Sequence, residues 1–145
     1  MNASEGAASV ADPVTGNLLF YTNGVTVWDA ANNPMPNGTG LLGGTAQLLS
    51  STTAAVICEK PGSSNQYYVF TIDEQASNNG VRYSVVNMAL NGGMGDIVSG
   101  QKNIPLLSTN SEKMCIAPNG QGTGYWLVTH DGSNTFYAFS VTASG

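Results

Sequence analysis

Bulky β-forming residues occur in short runs along the whole chain, and Gly, Pro, Asn or Asp repeatedly interrupts them. No window carries apolar residues at the helical period between capping residues, so the pattern predicts strands throughout and no helix. Three runs read alike: Asn17-Leu18-Leu19-Phe20-Tyr21-Thr22-Asn23-Gly24, Gln66-Tyr67-Tyr68-Val69-Phe70-Thr71-Ile72-Asp73 and Gly124-Tyr125-Trp126-Leu127-Val128-Thr129-His130-Asp131. Each opens on a small or polar residue, continues through bulky β-formers and places Thr22, Thr71 or Thr129 in register.

The flanks repeat as well. A short apolar strand precedes each run, at Ala8–Ala11, Ala54–Cys58 and Lys113–Ala117, followed by a Pro/Gly turn. A further strand follows each run, at Val25–Trp28, Val81–Met88 and Thr135–Val141, across Asn23-Gly24, Asn79-Gly80 and Asp131-Gly132 hairpin turns. Tyr83 and Tyr137 align in the last two. A fourth, outer strand is expected at Gly40-Leu41-Leu42 and at Asn103–Leu107, where Pro105 requires a sheet edge. Pro34–Thr39 and Gly92–Asp96 read as loops.

A repeat of this size made only of strands suits propeller blades. The chain therefore reads as one all-β domain, 1–145, of about three four-stranded antiparallel blades over 5–50, 51–107 and 108–145. Three blades do not close a ring, which implies a homo-oligomer that completes it. The alternative is a β-sandwich that buries its own core.

Composition narrows the partners. Charged residues are 9% of the chain and the net charge is −5, with Lys60, Arg82, Lys102 and Lys113 scattered, which excludes a phosphate-binding surface for nucleic acid. No apolar run is long enough to span a bilayer. Met1-Asn2-Ala3-Ser4-Glu5 lacks the features of a signal peptide, so the chain as given is expected in the cytoplasm unless cut from a longer precursor. Cys58 and Cys115 match neither a zinc spacing nor a redox pair; two buried free thiols are expected, with a disulfide as the alternative.

Asp12 to Asp29, with Met35–Gly43, Lys60–Tyr68 and Arg82–Met88, resembles the N-terminal propeller-like region of large secreted surface proteins of gliding bacteria, the PKD-containing proteins of type IX secretion. The resemblance covers nearly the whole chain. It implies a propeller-like fold and an extracellular or cell-surface parent protein, and it assigns no ligand or catalytic residue.

Candidate chemistry is sparse. His130, the only histidine, stands beside Asp131 as a possible base and orienting carboxylate, although strand neighbours point to opposite faces. Ser63, Ser64, Ser111 and Ser133 lie in turns, and no Gly-x-Ser-x-Gly elbow occurs. Asp12, Asp73 and Asp131 recur at strand ends, where a propeller could gather them around calcium. By fold analogy that set suggests a calcium-dependent hydrolase of esters or lactones. The aromatic residues Tyr21, Trp28, Tyr68 and Trp126 offer a surface for a carbohydrate or protein ligand, or core packing between blades. A binding or scaffolding module is the leading expectation. Asn2-Ala3-Ser4 and Asn37-Gly38-Thr39 match the glycosylation pattern by coincidence.

Overall fold

A computed structural model describes residues 2–44, 50–74, 79–109 and 111–145; Met1 lies outside them. Its strands are β1 (Ala8–Ala11), β2 (Leu18–Thr22), β3 (Thr26–Asp29), β4 (Pro34–Thr39), β5 (Ala55–Glu59), β6 (Gln66–Ile72), β7 (Val81–Asn87), β8 (Asp96–Ile97), β9 (Ile104–Leu107), β10 (Met114–Pro118), β11 (Tyr125–His130) and β12 (Phe136–Val141). They form three antiparallel sheets: β1-β2-β3-β4; β5-β6-β7-β8, with β9 also on β7; and β10-β11-β12. A single 3-10 turn at Asn91–Gly93 is the helical content of the described residues. The fold is all-β, and the described strands close neither a barrel nor a ring.

The second sheet lies between the other two, and β6 records this in its sequence. Tyr67 and Val69 join Phe20, Val27, Met35 and Leu41 of the first repeat in one core. Tyr68, Phe70 and Ile72 point the other way and pack with Met114, Leu127 and Val141 of the third sheet. Successive side chains of a strand take opposite faces, so a strand covered on both sides must be apolar at every position. Tyr67–Phe70 and Ile72 meet that demand, and Thr71 is the exception, its buried hydroxyl without a hydrogen-bond partner.

The fourth strand of the second sheet is interrupted. β8 pairs with Val86 and Asn87, β9 with Val81 to Tyr83, and residues 98–103 loop out between them. Gln101 O and Val98 N still bond to Val85. The loop reaches the first sheet. Asn103 donates to Gly40 O at 2.9 Å and accepts from Leu42 N at 3.2 Å. Lys102 Nζ donates to Asn37 O at 3.1 Å and to Thr39 O. Asn37 donates through its backbone to Asp96 and through its side chain to Ile97 O.

Several expectations change. Pro34–Thr39, read as a loop, is strand β4, and Gly40-Leu41-Leu42 is no strand; Leu41 is instead a buried core residue. The prolines fit because β4 is an edge whose only strand partner among the described residues is β3. Within Gly92–Asp96, Asp96 belongs to β8. Pro105 stands on an edge strand, as its missing amide requires.

The threonine register also shifts. Thr71 and Thr129 share a face with Val69 and Leu127, toward the preceding sheet, whereas Thr22 shares a face with Phe20, toward the following one. A one-residue slip exchanges the two faces of a strand, so the first repeat is offset from the others. The same applies to Tyr83 and Tyr137: Arg82 pairs with Thr71 where Tyr137 pairs with Thr129.

The first interface should respond to both of its components. Phe20→Ala is expected to lower the unfolding free energy by about 3–5 kcal/mol through lost burial. Asn103→Ala is expected to lower it by about 0.5–1.5 kcal/mol through its lost hydrogen bonds to Gly40 and Leu42. Urea unfolding followed by tryptophan fluorescence measures both.

Candidate functional site

The carboxylates are placed by turn geometry. Asp12 ends β1 and accepts from Val14 N at 2.9 Å and Thr15 N at 2.7 Å. Asp73 accepts from Glu74 N at 2.8 Å and from Asn79 Nδ2 at 2.5 Å. Asp131 accepts from Ser133 N at 2.9 Å and Ser133 Oγ at 2.6 Å, with Tyr137 Oη at 3.4 Å. The bonds of Asp12 and Asp131 are side-chain caps of local turns. The bonds from Thr15 and Val14 to Asp12, and from Ser133 to Asp131, hold both carboxyl groups below the ordinary range.

These three residues do not meet. Asp12 sits at the end of the first sheet where β1 turns into β2, beside Tyr67. Asp73 follows β6 at the opposite end, where Ile72 bonds to Ala54 O and Gly43 bonds to Gly24 O. Among the described residues no three His, Cys, Asp or Glu side chains converge on a metal position. Asp12, Asp73 and Asp131 are therefore not brought together as one metal-ligating group among the described residues.

His130 and Asp131 likewise do not form a dyad. His130 Nδ1 accepts from Gly132 N at 3.2 Å, which leaves the ring proton on Nε2 of the neutral imidazole. The ring lies against Phe136 at 5.4 Å, while the Asp131 carboxylate faces Ser133 and Tyr137.

The aromatic candidates fall into three environments. Tyr68 is 3% exposed between the second and third sheets, under Lys60 Nζ at 5.8 Å, and its hydroxyl bonds to Thr142 O. It belongs to the core rather than to a binding surface, because β6 is covered on both faces. Tyr21 and Trp28 stack at 5.4 Å on the side of the first sheet opposite Val27. Trp126 stands on the side of the third sheet opposite Leu127, with exposed Phe136, Cys115 and Ala138. The two faces point away from the second sheet in opposite directions.

The recess that joins two repeats was missed by motif reading. The β5–β6 turn and the β10–β11 turn enclose a cleft of about 290 Å³ lined by Glu59, Lys60, Ser63, Pro118, Thr123 and Tyr125. It combines a carboxylate, an ammonium, hydroxyls and an aromatic ring. Its parts lie in the equivalent turns of two repeats, and that equivalence was the available signal. No family model, no curated protein and no solved structure matches the chain. Among the described residues no helix is long and apolar enough to cross a membrane.

The thiols differ. Both are free, but Cys115 is exposed and Cys58 is buried, where desolvation first and Glu59 second push its pKa up to about 12. Burial also raises Tyr67, Tyr68 and Tyr125. All four groups favour the folded state while neutral, so their contribution is intact below their ordinary pKa values. It is lost as pH rises from about 9 toward 12. The urea midpoint should therefore fall across this range, and less steeply in Cys58→Val. At pH 8 a thiol reagent should modify Cys115 alone, and Cys115→Ser should leave the folded chain unreactive.

Proposed function

We propose that the chain is a blade-type scaffolding and binding module of a secreted surface protein, with a carbohydrate as the ligand class that its cleft fits. The supporting observation is the order in which the sheets touch. The first strands of the sheets lie beside one another, β1 against β5 and β5 against β10, while β4 lies against β8 at the outer side. Sheets stacked in the same sense around their first strands pack as propeller blades do. Tyr21 and Trp28 at one end of the stack, and Trp126 and Phe136 at the other, then occupy faces that neighbouring blades cover. Another copy of the chain is the simplest source of those blades. The extracellular setting rests on the resemblance of residues 12–29 and their companions to surface proteins.

The cleft supplies what a neutral polyol needs: Glu59 as acceptor, Lys60 as donor, Ser63 and Thr123 hydroxyls, and the Tyr125 ring. The hydrolase reading has no comparable support, since its three carboxylates do not converge among the described residues.

Light scattering over a concentration series should show a dimer or larger assembly, and Trp126→Glu should return it to a folded 15.0 kDa monomer. A wild-type monomer at every concentration would rule out self-completion. A glycan array should yield a ligand whose binding falls about tenfold in Glu59→Gln, the size expected for one hydrogen bond to a charged group. Unchanged binding would remove the cleft from the reading.

A further inference from the structure

Asn-Gly occurs five times in the chain, at Asn23, Asn37, Asn79, Asn91 and Asn119. The pair has a chemistry of its own. The glycine nitrogen can attack the carboxamide carbon of the preceding side chain, because glycine has no Cβ to crowd the approach. The attack needs a free carboxamide, a free N–H and room for a succinimide ring to close.

All but one of these steps are held. Asn23 is buried; its Nδ2 donates to Asn2 O at 2.7 Å, and its Oδ1 accepts from Val25 N and Thr26 N. Asn37 Nδ2 donates to Ile97 O at 3.1 Å, and a Cβ on Gly38 would stand 2.7 Å from Val27 O. Asn79 Nδ2 donates to Asp73 Oδ2 at 2.5 Å. Asn119 is bonded to Thr123 through both its Nδ2 and its Oδ1, at 3.2 and 3.0 Å. Asp131-Gly132 can close the same ring and is held too: Asp131 accepts from Ser133, and Gly132 N donates to His130 Nδ1.

Asn91-Gly92 differs. Both residues are exposed in the turn between β7 and β8. Neither the Asn91 carboxamide nor the Gly92 N–H has a hydrogen-bond partner among the described residues. No heavy atom outside its chain neighbours lies within 4 Å of the position a Gly92 Cβ would take. The turn is closed by other groups, Gly93 N and Gly95 N donating to Leu90 O at 3.0 and 3.1 Å.

We propose that Asn91 is a self-modification site, the Asn-Gly step that deamidates in the folded chain. The Gly92 nitrogen gives its proton to water and bonds to Asn91 Cγ. The Cγ–Nδ2 bond breaks, and the amide nitrogen takes a proton and leaves as ammonia. Water then opens the succinimide. Addition at Cγ gives aspartate, and addition at the main-chain carbonyl gives isoaspartate, whose main chain runs through the former side chain. Either product adds one negative charge to a chain of net charge −5.

The test holds the folded chain at mildly alkaline pH and follows each Asn-Gly step by peptide mass spectrometry. Asn91 should convert at least about tenfold faster than any other, since the others react only when their hydrogen bonds open. In guanidinium chloride, which removes those bonds, all the steps should convert at similar rates. Isoaspartyl methyltransferase should label the aged folded chain, and Asn91→Gln should remove that label. Three outcomes would overturn the proposal: another Asn-Gly step converting as fast as Asn91 in the folded chain, no conversion at Asn91 while the unfolded chain converts, or the same preference for Asn91 in denaturant.

Discussion

The two-sided burial of the second sheet is the constraint on which the rest of the molecule depends. β6 contributes Tyr67 and Val69 to one core and Tyr68, Phe70 and Ile72 to the other, so a single seven-residue strand anchors both interfaces. Each large apolar side chain removed from water stabilises by roughly 1.5–3 kcal/mol. Neither outer sheet reproduces this. The first sheet and the third each bury one face and leave the other partly open. Their stability is borrowed from the middle sheet, as in repeat arrays whose units pack only against neighbours.

Apolar packing alone leaves the sheets free to slide, because it has little directionality. Polar groups fix their relation at the outer side. The looped-out segment 98–103 carries Lys102 and Asn103 onto the backbone of Asn37, Thr39, Gly40 and Leu42. At the opposite end Gly43 approaches its neighbours closely: a Cβ there would stand 2.7 Å from Gly24 O and 2.8 Å from Ala54 O. A scarce polar residue at one end and a missing side chain at the other thus set the same interface.

The fold class, the hairpins and the core runs were legible because strand period and turn residues are local signals. The edge position of Pro105 follows directly from backbone chemistry. What was not legible depended on partners distant in sequence. Pro34–Thr39 looks like a loop because its prolines argue against a central strand, and only pairing with β3 shows it to be an edge. The Thr22 register failed because three similar sequences conceal a one-residue slip, and period-two structure turns that slip into a change of face. The recurring aspartates were visible, but their recurrence reflects a repeated turn. Asp131 with Ser133, and Asp12 with Thr15, satisfy backbone amides that any such hairpin exposes. The Glu59–Tyr125 cleft could not be read from one repeat, since two turns some sixty residues apart form its walls.

Faces and edges of a sheet make different demands, and among the described residues this molecule leaves more than one of each open. A face is satisfied by any apolar surface of suitable shape, so Trp126 and Phe136 specify contact without specifying geometry. An edge requires backbone in register, and its hydrogen bonds cannot be met by side chains alone. Proteins that retain an open edge as a mere surface commonly guard it with charge or proline, as β4 and β9 are guarded here. β12 and β1 carry neither guard. The difference lies in the residues themselves and is independent of whether the sheets close a ring.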